Sequence, residues 1–303
     1  MGGEADGEAP GARERRGAAP SPDLEGRVCV VTGGTSGIGL ATSLRLAQLN
    51  ATVLIVGRNP RRCESACQRI RQQANSPVEY VIADLSSQKD VRRAAGDIAQ
   101  RFPVIDVLVN NAGTYYMQRR LSVDGVEMTF AVNHLAPFLL TILLRDALSR
   151  SPSARIVNVA SSAHETGRID FSDLQGEHDY DRLRAYSQSK LANVLFTYEL
   201  ARRLPGHVCA NALHPGAVAT NLGIDNGWLR VKARNVVRHR TLLTPEQGSR
   251  TSVYLASSPE VEGITGRYFV DCKEVPSSAA SQDAATAARL WQVSEELTRS
   301  DGV

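Results

Sequence analysis

Long hydrophobic runs are scarce in this chain. The longest compact apolar stretch, Leu135 to Leu144, has ten residues and includes Pro137 and Thr141, about half of the ~20 that a membrane-crossing helix needs. No segment is expected to span a bilayer. Cysteine is also sparse: Cys29, Cys63, Cys67, Cys209 and Cys272 make an odd set in 303 residues, which argues against a disulfide framework and for reduced thiols. An excess of one charge is missing as well. Lys and Arg total 35 against 32 Asp and Glu, a formal +3, too little to imply a surface that neutralises nucleic-acid phosphates. The expected partner is a small molecule, with no nucleic acid.

Residues 1–23 contain no Val, Leu, Ile, aromatic or Cys, but five Gly, five Ala and three Pro. Such a segment has nothing to bury and is expected to be disordered. It has neither the basic start nor the apolar stretch of a secretory signal, and its three Arg are outnumbered by five acids, unlike a mitochondrial presequence. Cytoplasmic residence is the expectation.

What is present is an ordinary globular mixture, 42% hydrophobic and 22% charged, with no internal repeat and no dividing linker after residue 23. Residues 24–303 are expected to form one domain. Seven candidate strands, Val28 to Thr32, Thr52 to Val56, Val78 to Ala83, Val104 to Val109, Arg155 to Ala160, Val208 to Leu213 and Arg267 to Val270, alternate with helical patterns. That order predicts βαβ crossovers and a single doubly wound α/β parallel sheet, Rossmann-like, with helices on both faces. Cys63 and Cys67 at i, i+4 lack a second ligand pair, so no metal site is expected. His207, Cys209 and His214 read as packing and turn residues, with His214 placed beyond the strand end.

The first strand leads into Gly33-Gly34-Thr35-Ser36-Gly37-Ile38-Gly39 and then an amphipathic helix. Strand, glycine-rich turn and helix start are the setting in which backbone N–H groups bind a pyrophosphate. The second strand ends Val56-Gly57-Arg58-Asn59, with no acid to receive a ribose 2′-hydroxyl. Arg58 is suited to a 2′-phosphate, so NADP(H) is expected over NAD(H), although a solvated helix-entry arginine is the plainer alternative. Asp84-Leu85, after the third strand, has the position to contact adenine, or Asp84 caps the next helix. Tyr186 and Lys190, at i, i+4, share one helix face. A phenol near pKa 10 needs a cation to act at neutral pH, and Lys190 is expected to lower it.

These features occur together with Asn110-Asn111-Ala112-Gly113 after the fourth strand, Asn133 in the next helix, Ser161 at the end of the fifth strand and Pro215-Gly216 after the sixth. In that company the chain resembles the short-chain dehydrogenase/reductase family over about residues 26–298. Val157-Asn158-Val159-Ala160-Ser161-Ser162-Ala163-His164, Lys190-Leu191-Ala192-Asn193-Val194-Leu195-Phe196 and Gly266-Arg267-Tyr268-Phe269 are similar to its retinol-dehydrogenase-like branch. The resemblance implies Tyr186 as general acid/base, Lys190 as its electrostatic partner and ribose ligand, Ser161 as the hydroxyl on the substrate oxygen, and Asn133 in a proton relay. Ser162 is the alternative to Ser161. It also implies cofactor contacts at Gly33, Thr35, Ser36, Gly37, Ile38, Gly39, Arg58, Asn59, Asp84, Leu85, Asn111, Ala112, Gly113, Pro215, Gly216, Val218 and Thr220. The N-terminal anchor often found in that branch is not visible here, which leaves retinoid, steroid and lipid-aldehyde substrates open.

Residues 219–245 interleave Trp228, Leu229, Val231, Val236 and Val237 with Arg230, Lys232, Arg234, Arg238, His239 and Arg240. This reads first as a substrate lid with a solvated basic face and second as a peripheral contact with an anionic membrane. The resulting expectation is an NADP(H)-dependent oxidoreductase, a carbonyl reductase or alcohol dehydrogenase acting on hydrophobic compounds. A catalytically silent nucleotide-sensing or scaffold protein is its rival.

Overall fold

The computed structural model describes residues 23–218 and 242–299. The expected disordered head, Thr220 and the basic stretch of the lid lie outside the described residues.

The chain alternates strands and helices: β1 (Val28–Thr32), α1 (Gly37–Gln48), β2 (Thr52–Gly57), α2 (Pro60–Arg71), β3 (Val78–Ile82), α3 (Gln88–Arg101) and β4 (Val107–Asn110). Three helical segments follow without a break, α4 (Met128–Phe130), a π-helical turn (Ala131–Leu135) and α5 (Ala136–Leu143), and then α6 (Arg145–Ser149). Beyond β5 (Ala154–Val159) come a short 3₁₀ helix (Ser162–Thr166), α7 (Arg182–Arg203), β6 (Val208–His214), α8 (Pro245–Ser257), β7 (Tyr268–Val270), β8 (Lys273–Glu274) and α9 (Ala284–Leu297).

Among the described residues one sheet runs in the order β3-β2-β1-β4-β5-β6-β7-β8. Seven strands are parallel, and β8 pairs antiparallel with β7. The sequence shows seven; the eighth is two residues long and follows a turn in which Asp271 and Cys272 take positive φ without a glycine. The fourth strand starts later than expected, because Ile105 N–H goes to Ala147 O and pairing begins only at Val107. His214, expected past the end of β6, is its last residue.

Strand residues alternate between two cores, as the two-residue period requires. Val30, Leu54, Val56, Leu108 and Ile156 pack on the α3, α5 and α7 side. Val31, Val53, Ile55, Val109 and Val157 pack on the α1, α2 and α8 side. Both faces are covered, which is why the strands read as nearly continuous hydrophobic runs. The helices present complementary stripes. In α2 the buried residues are Cys63, Ala66, Cys67 and Ile70, and in α3 they are Val91, Ala94, Ala95 and Ile98. The spacing of Cys63 and Cys67 is thus a packing stripe, and burial raises both thiols above their ordinary pKa.

The strand order reverses direction between β1 and β4, so their carboxyl ends diverge and open a crevice there. No helix among the described residues is long and apolar enough to cross a membrane.

Candidate active site

At that crevice lies a cleft of about 420 Å³. The turn from β1 to α1 forms its floor. Gly33 has φ +66, and a Cβ on Gly39 would stand 2.3 Å from Gly33 O and 2.4 Å from Asn111 Nδ2, so neither position tolerates a side chain. Ser36 is the N-cap of α1 but makes no side-chain cap bond. The first-turn N–H groups of a helix have no partner within it, and here the residues of that turn, Thr35, Ser36, Gly37, Ile38 and Gly39, line the cleft floor.

The β4 loop is clamped to this turn. Thr32 Oγ1 accepts from Asn111 N and Ala112 N, both at 3.0 Å, while Asn111 Nδ2 donates to Thr32 O at 2.8 Å. Asn111, Ala112 and Gly113 therefore form the opposite wall. Arg58 lines the cleft beyond the end of β2, as does Arg62 one turn into α2. Asp84 and Leu85 line it after β3, and Asp84 Oδ1 accepts from Ser86 N and Oγ in a tight turn. The cap of α3 is instead Ser87, whose hydroxyl accepts from Asp90 N. Pro215, Gly216 and Val218 close the far side.

The catalytic candidates meet in the same cleft. Asp181 caps α7 through Arg184 N, which sets the phase that turns Tyr186 and Lys190 to one side. Ser161, just past the end of β5, lines the cleft with Tyr186 and its hydroxyl acts to lower that phenol's pKa, whereas Ser162 is exposed and does not line the cleft. Of the two serines, the cleft is lined by Ser161, while Ser162 begins the following 3₁₀ helix. Tyr115 packs edge-on against Tyr186 with ring centroids 5.5 Å apart.

Lys190 is buried and donates to Val159 O at 3.0 Å; its Nζ lies 5.7 Å from the centre of the Tyr186 ring. Burial lowers its pKa to about 8. The expectation that Lys190 lowers the phenol is not met in the protein alone. Burial pushes Tyr186 up to about 12, the Ser161 hydroxyl opposing it and Tyr115 adding to it. Desolvation of the phenolate sets the direction, and Lys190 is not among the groups that move it.

Two of the expected residues stand apart from the cleft. Asn59 faces α2, where its Oδ1 accepts from Arg62 N as the N-cap. Asn133 is fully buried behind the wall in the π-helical turn, accepting from Thr114 N at 2.7 Å and donating to Thr114 O and Ser189 Oγ. A Cβ on Gly113 would lie 3.5 Å from both Asn133 Oδ1 and Lys190 Nζ, so Asn133 backs the loop that faces the lysine. Arg62, Thr114, Tyr116, Met128 and Val132 line the cleft without having been singled out, and His214, read as a packing or turn residue, lines it too. Arg62 lies four residues after Arg58 in the first turn of α2, and that second nearby arginine is the signal that marks it.

The arrangement fits a dinucleotide: a cradle that side chains would fill, an unused cap at a helix start, and two guanidinium groups at the distal end. The short chain dehydrogenase family model matches residues 27–227. Human retinol dehydrogenase 14 is 42% identical over 302 residues, covering 94% of this chain and 90% of that protein. Human polyprenol dehydrogenase is 38% identical over 287 residues, covering 92% and 86%. Among solved structures, an uncharacterised protein from Mycobacterium paratuberculosis superposes with a TM-score of 0.75 at 36% identity, covering 92% of this chain and 96% of that one. The Pseudomonas aeruginosa RhlG/NADP active-site complex superposes with a TM-score of 0.66 at 27% identity, covering 83% and 97%. With its family match, its sheet order and its cleft in agreement, the chain belongs to the short-chain dehydrogenase family, in the company of the retinol dehydrogenases.

Proposed function

We propose that the protein is an NADP(H)-dependent oxidoreductase that interconverts a hydrophobic alcohol and its aldehyde or ketone, with a retinoid, steroid or lipid-derived carbonyl as the substrate class. The observation that carries this reading is the convergence of Ser161, Tyr186 and Lys190 on the cleft built by the glycine turn. A scaffold or sensor would bind nucleotide without needing a proton-transfer set beside it.

Bound nicotinamide supplies the hydride. The first turn of α1 and the Gly33–Gly39 loop would hold the pyrophosphate, Pro215, Gly216 and Val218 would flank the nicotinamide, and Lys190 would reach the ribose. Ser161 Oγ and Tyr186 Oη hold the substrate oxygen between them. With its pKa near 12 the phenol is protonated at neutral pH, the state that gives a proton to a carbonyl as it becomes an alcohol. In the reverse direction the phenolate is required, and the Lys190 ammonium is the charge available to stabilise it. Asn133 holds the Thr114 backbone in place behind Lys190.

The preference for NADP(H) rests on Arg58 and Arg62 at the distal end, where no acid ends β2. The NADP in the similar RhlG/NADP complex supports the same choice. The test is consumption of NADPH and of NADH against a panel of retinal, steroid ketones and aliphatic aldehydes. NADPH turnover with at least one hydrophobic carbonyl is expected. Arg58→Asp should raise the KM for NADPH about 10- to 100-fold, the range of one lost charge-assisted phosphate contact, with little change for NADH. An unchanged cofactor preference overturns the 2′-phosphate assignment, and NADPH binding without turnover of any carbonyl favours the sensor reading.

A further inference from the structure

We propose that His164 is a positioning residue: it sets the backbone of Ser161 and fastens that serine to the C-terminal part of the chain through Ser278. The proposal rests on the reading that Ser161 holds the substrate oxygen.

His164 is fully buried in the 3₁₀ helix Ser162–Thr166. Its two ring nitrogens are both engaged, with Nδ1 2.7 Å from Ser161 O and Nε2 3.2 Å from Ser278 N. A backbone N–H only donates, so Nε2 is the acceptor and Nδ1 carries the hydrogen. One neutral tautomer thus bridges two backbone segments 114 residues apart. Tyr268 packs on the ring with centroids 4.8 Å apart, which fixes its plane.

At Ser161 this bond adds to a local lattice. Ser161 O also accepts from His164 N at 3.1 Å, and Ser161 Oγ accepts from Ala163 N at 3.2 Å. With one lone pair committed to Ala163, the hydroxyl can meet only Tyr186 and an incoming oxygen. The Ser278 end is equally anchored. Ser281 Oγ donates to Ser278 O at 2.6 Å and lies 2.7 Å from Ser277 Oγ, which is 2.7 Å from Tyr198 OH on α7. The helix that carries Tyr186 and Lys190 is therefore tied through Ser277 and Ser278 to the imidazole that holds Ser161. A histidine that only filled space would not need both nitrogens aimed at backbone groups. Catalytic geometry is sensitive to displacements well below an ångström, so loosening this tie should be read in kcat.

The test uses the full-length enzyme, with NADPH and whichever carbonyl it reduces. His164→Phe keeps a planar ring and removes both nitrogens; kcat should fall about 10- to 100-fold, with NADPH affinity, read by its fluorescence titration, unchanged. His164→Asn places an amide N–H near the Nδ1 position and should restore most of the loss. Ser278→Pro suits the local φ of −60, removes the N–H donor and sets a ring carbon against Nε2, for an expected loss of at least a few fold. In a Ser161→Ala background the His164 substitutions should have almost no further effect. Equal losses in both backgrounds, full activity of His164→Phe, or parallel loss of NADPH binding would overturn the proposal. Should His164→Phe fail to fold, His164→Asn and Ser278→Pro complete the same cycle. Undiminished activity of Ser161→Ala would instead strike down the serine assignment itself, a different result from a damaged but uncoupled pair.

Discussion

The two ends of the sheet are built to opposite rules. At the end where the strands begin, charged groups are each held by several hydrogen bonds. Asp106, just before β4, accepts from Arg27 Nη1 and Ser151 Oγ, both at 2.7 Å, and from Val28 N at 2.9 Å. Arg155, at the start of β5, donates to Ser258 O and Leu255 O. At the end where the strands finish, polar groups lack full compensation. Lys190 holds its ammonium against a single carbonyl, the Ser36 hydroxyl leaves its helix uncapped, and His214 Nδ1 has no partner among the described residues. One end supplies stability, and the other keeps groups in the states that chemistry needs at a cost in stability.

If this division is real, the largest effect on activity should come from the open end with no loss of fold. Tyr186→Phe is expected to lower kcat for carbonyl reduction about 10³-fold while leaving the unfolding midpoint unchanged, since only one hydroxyl leaves a cleft wall. Steady-state rates beside a urea melt check both halves. Retention of full activity would remove Tyr186 from the mechanism.

At the closed end the signature should invert. Asp106→Ala strands Val28 N–H and removes the partner of Arg27, and a loss of about 3 kcal/mol of stability is expected. The rate per folded molecule should be untouched. Chemical unfolding with active-site titration separates the two quantities, and a kcat loss in fully folded enzyme would show that the ends are coupled.

Lys190→Met sharpens the contrast, because it should inactivate the enzyme and stabilise the cofactor-free fold at once. The folded-state pKa, near 8, lies below the ordinary 10.5. Between those values the unfolded chain binds more protons than the folded one, so wild-type stability rises with pH across that window and the penalty is fully present below it. A shift of this size corresponds to about 3 kcal/mol. Methionine carries no charge to desolvate, so the variant should be more stable at pH 7 and should lose the rise between pH 8 and 10.5. Thermal melts at several pH values decide it; a variant destabilised at every pH would mean the bond to Val159 O outweighs desolvation.

What could be read from the sequence follows the same division. The glycine turn, the β-branched runs and the Tyr186/Lys190 spacing are local patterns, and they lie where the pattern puts them. Features that depend on tertiary contact were not legible. β8 has two residues and no alternation to detect, and it exists because β7 offers an edge. Asn59 precedes Pro60 at a helix start, the usual signature of a cap, yet the family resemblance placed it among the cofactor contacts. The direction of the Tyr186 shift depends on burial, which i, i+4 spacing does not contain. The role of His164 needs Ser278, far along the chain.

Thr32 is where the two rules meet, and so it should give the smallest and most mixed effect. It ends β1 in the core, 3% exposed, and its hydroxyl receives Asn111 N and Ala112 N, holding the β4 loop against the glycine turn. Thr32→Val preserves the shape and removes the acceptor. Asn111 N–H retains Val109 O at 3.0 Å, so Ala112 N–H is the donor left without its partner. The expected cost is about 1–2 kcal/mol. Because the freed loop is the cleft wall, the KM for NADPH should rise a few fold while kcat holds, for Ser161, Tyr186 and Lys190 are attached elsewhere. A stability loss with unchanged KM would place Thr32 with Asp106 as purely structural, and a kcat loss would place it with Tyr186. A joint change of the predicted kind would mark the point where the structural half of the sheet hands its geometry to the reactive half.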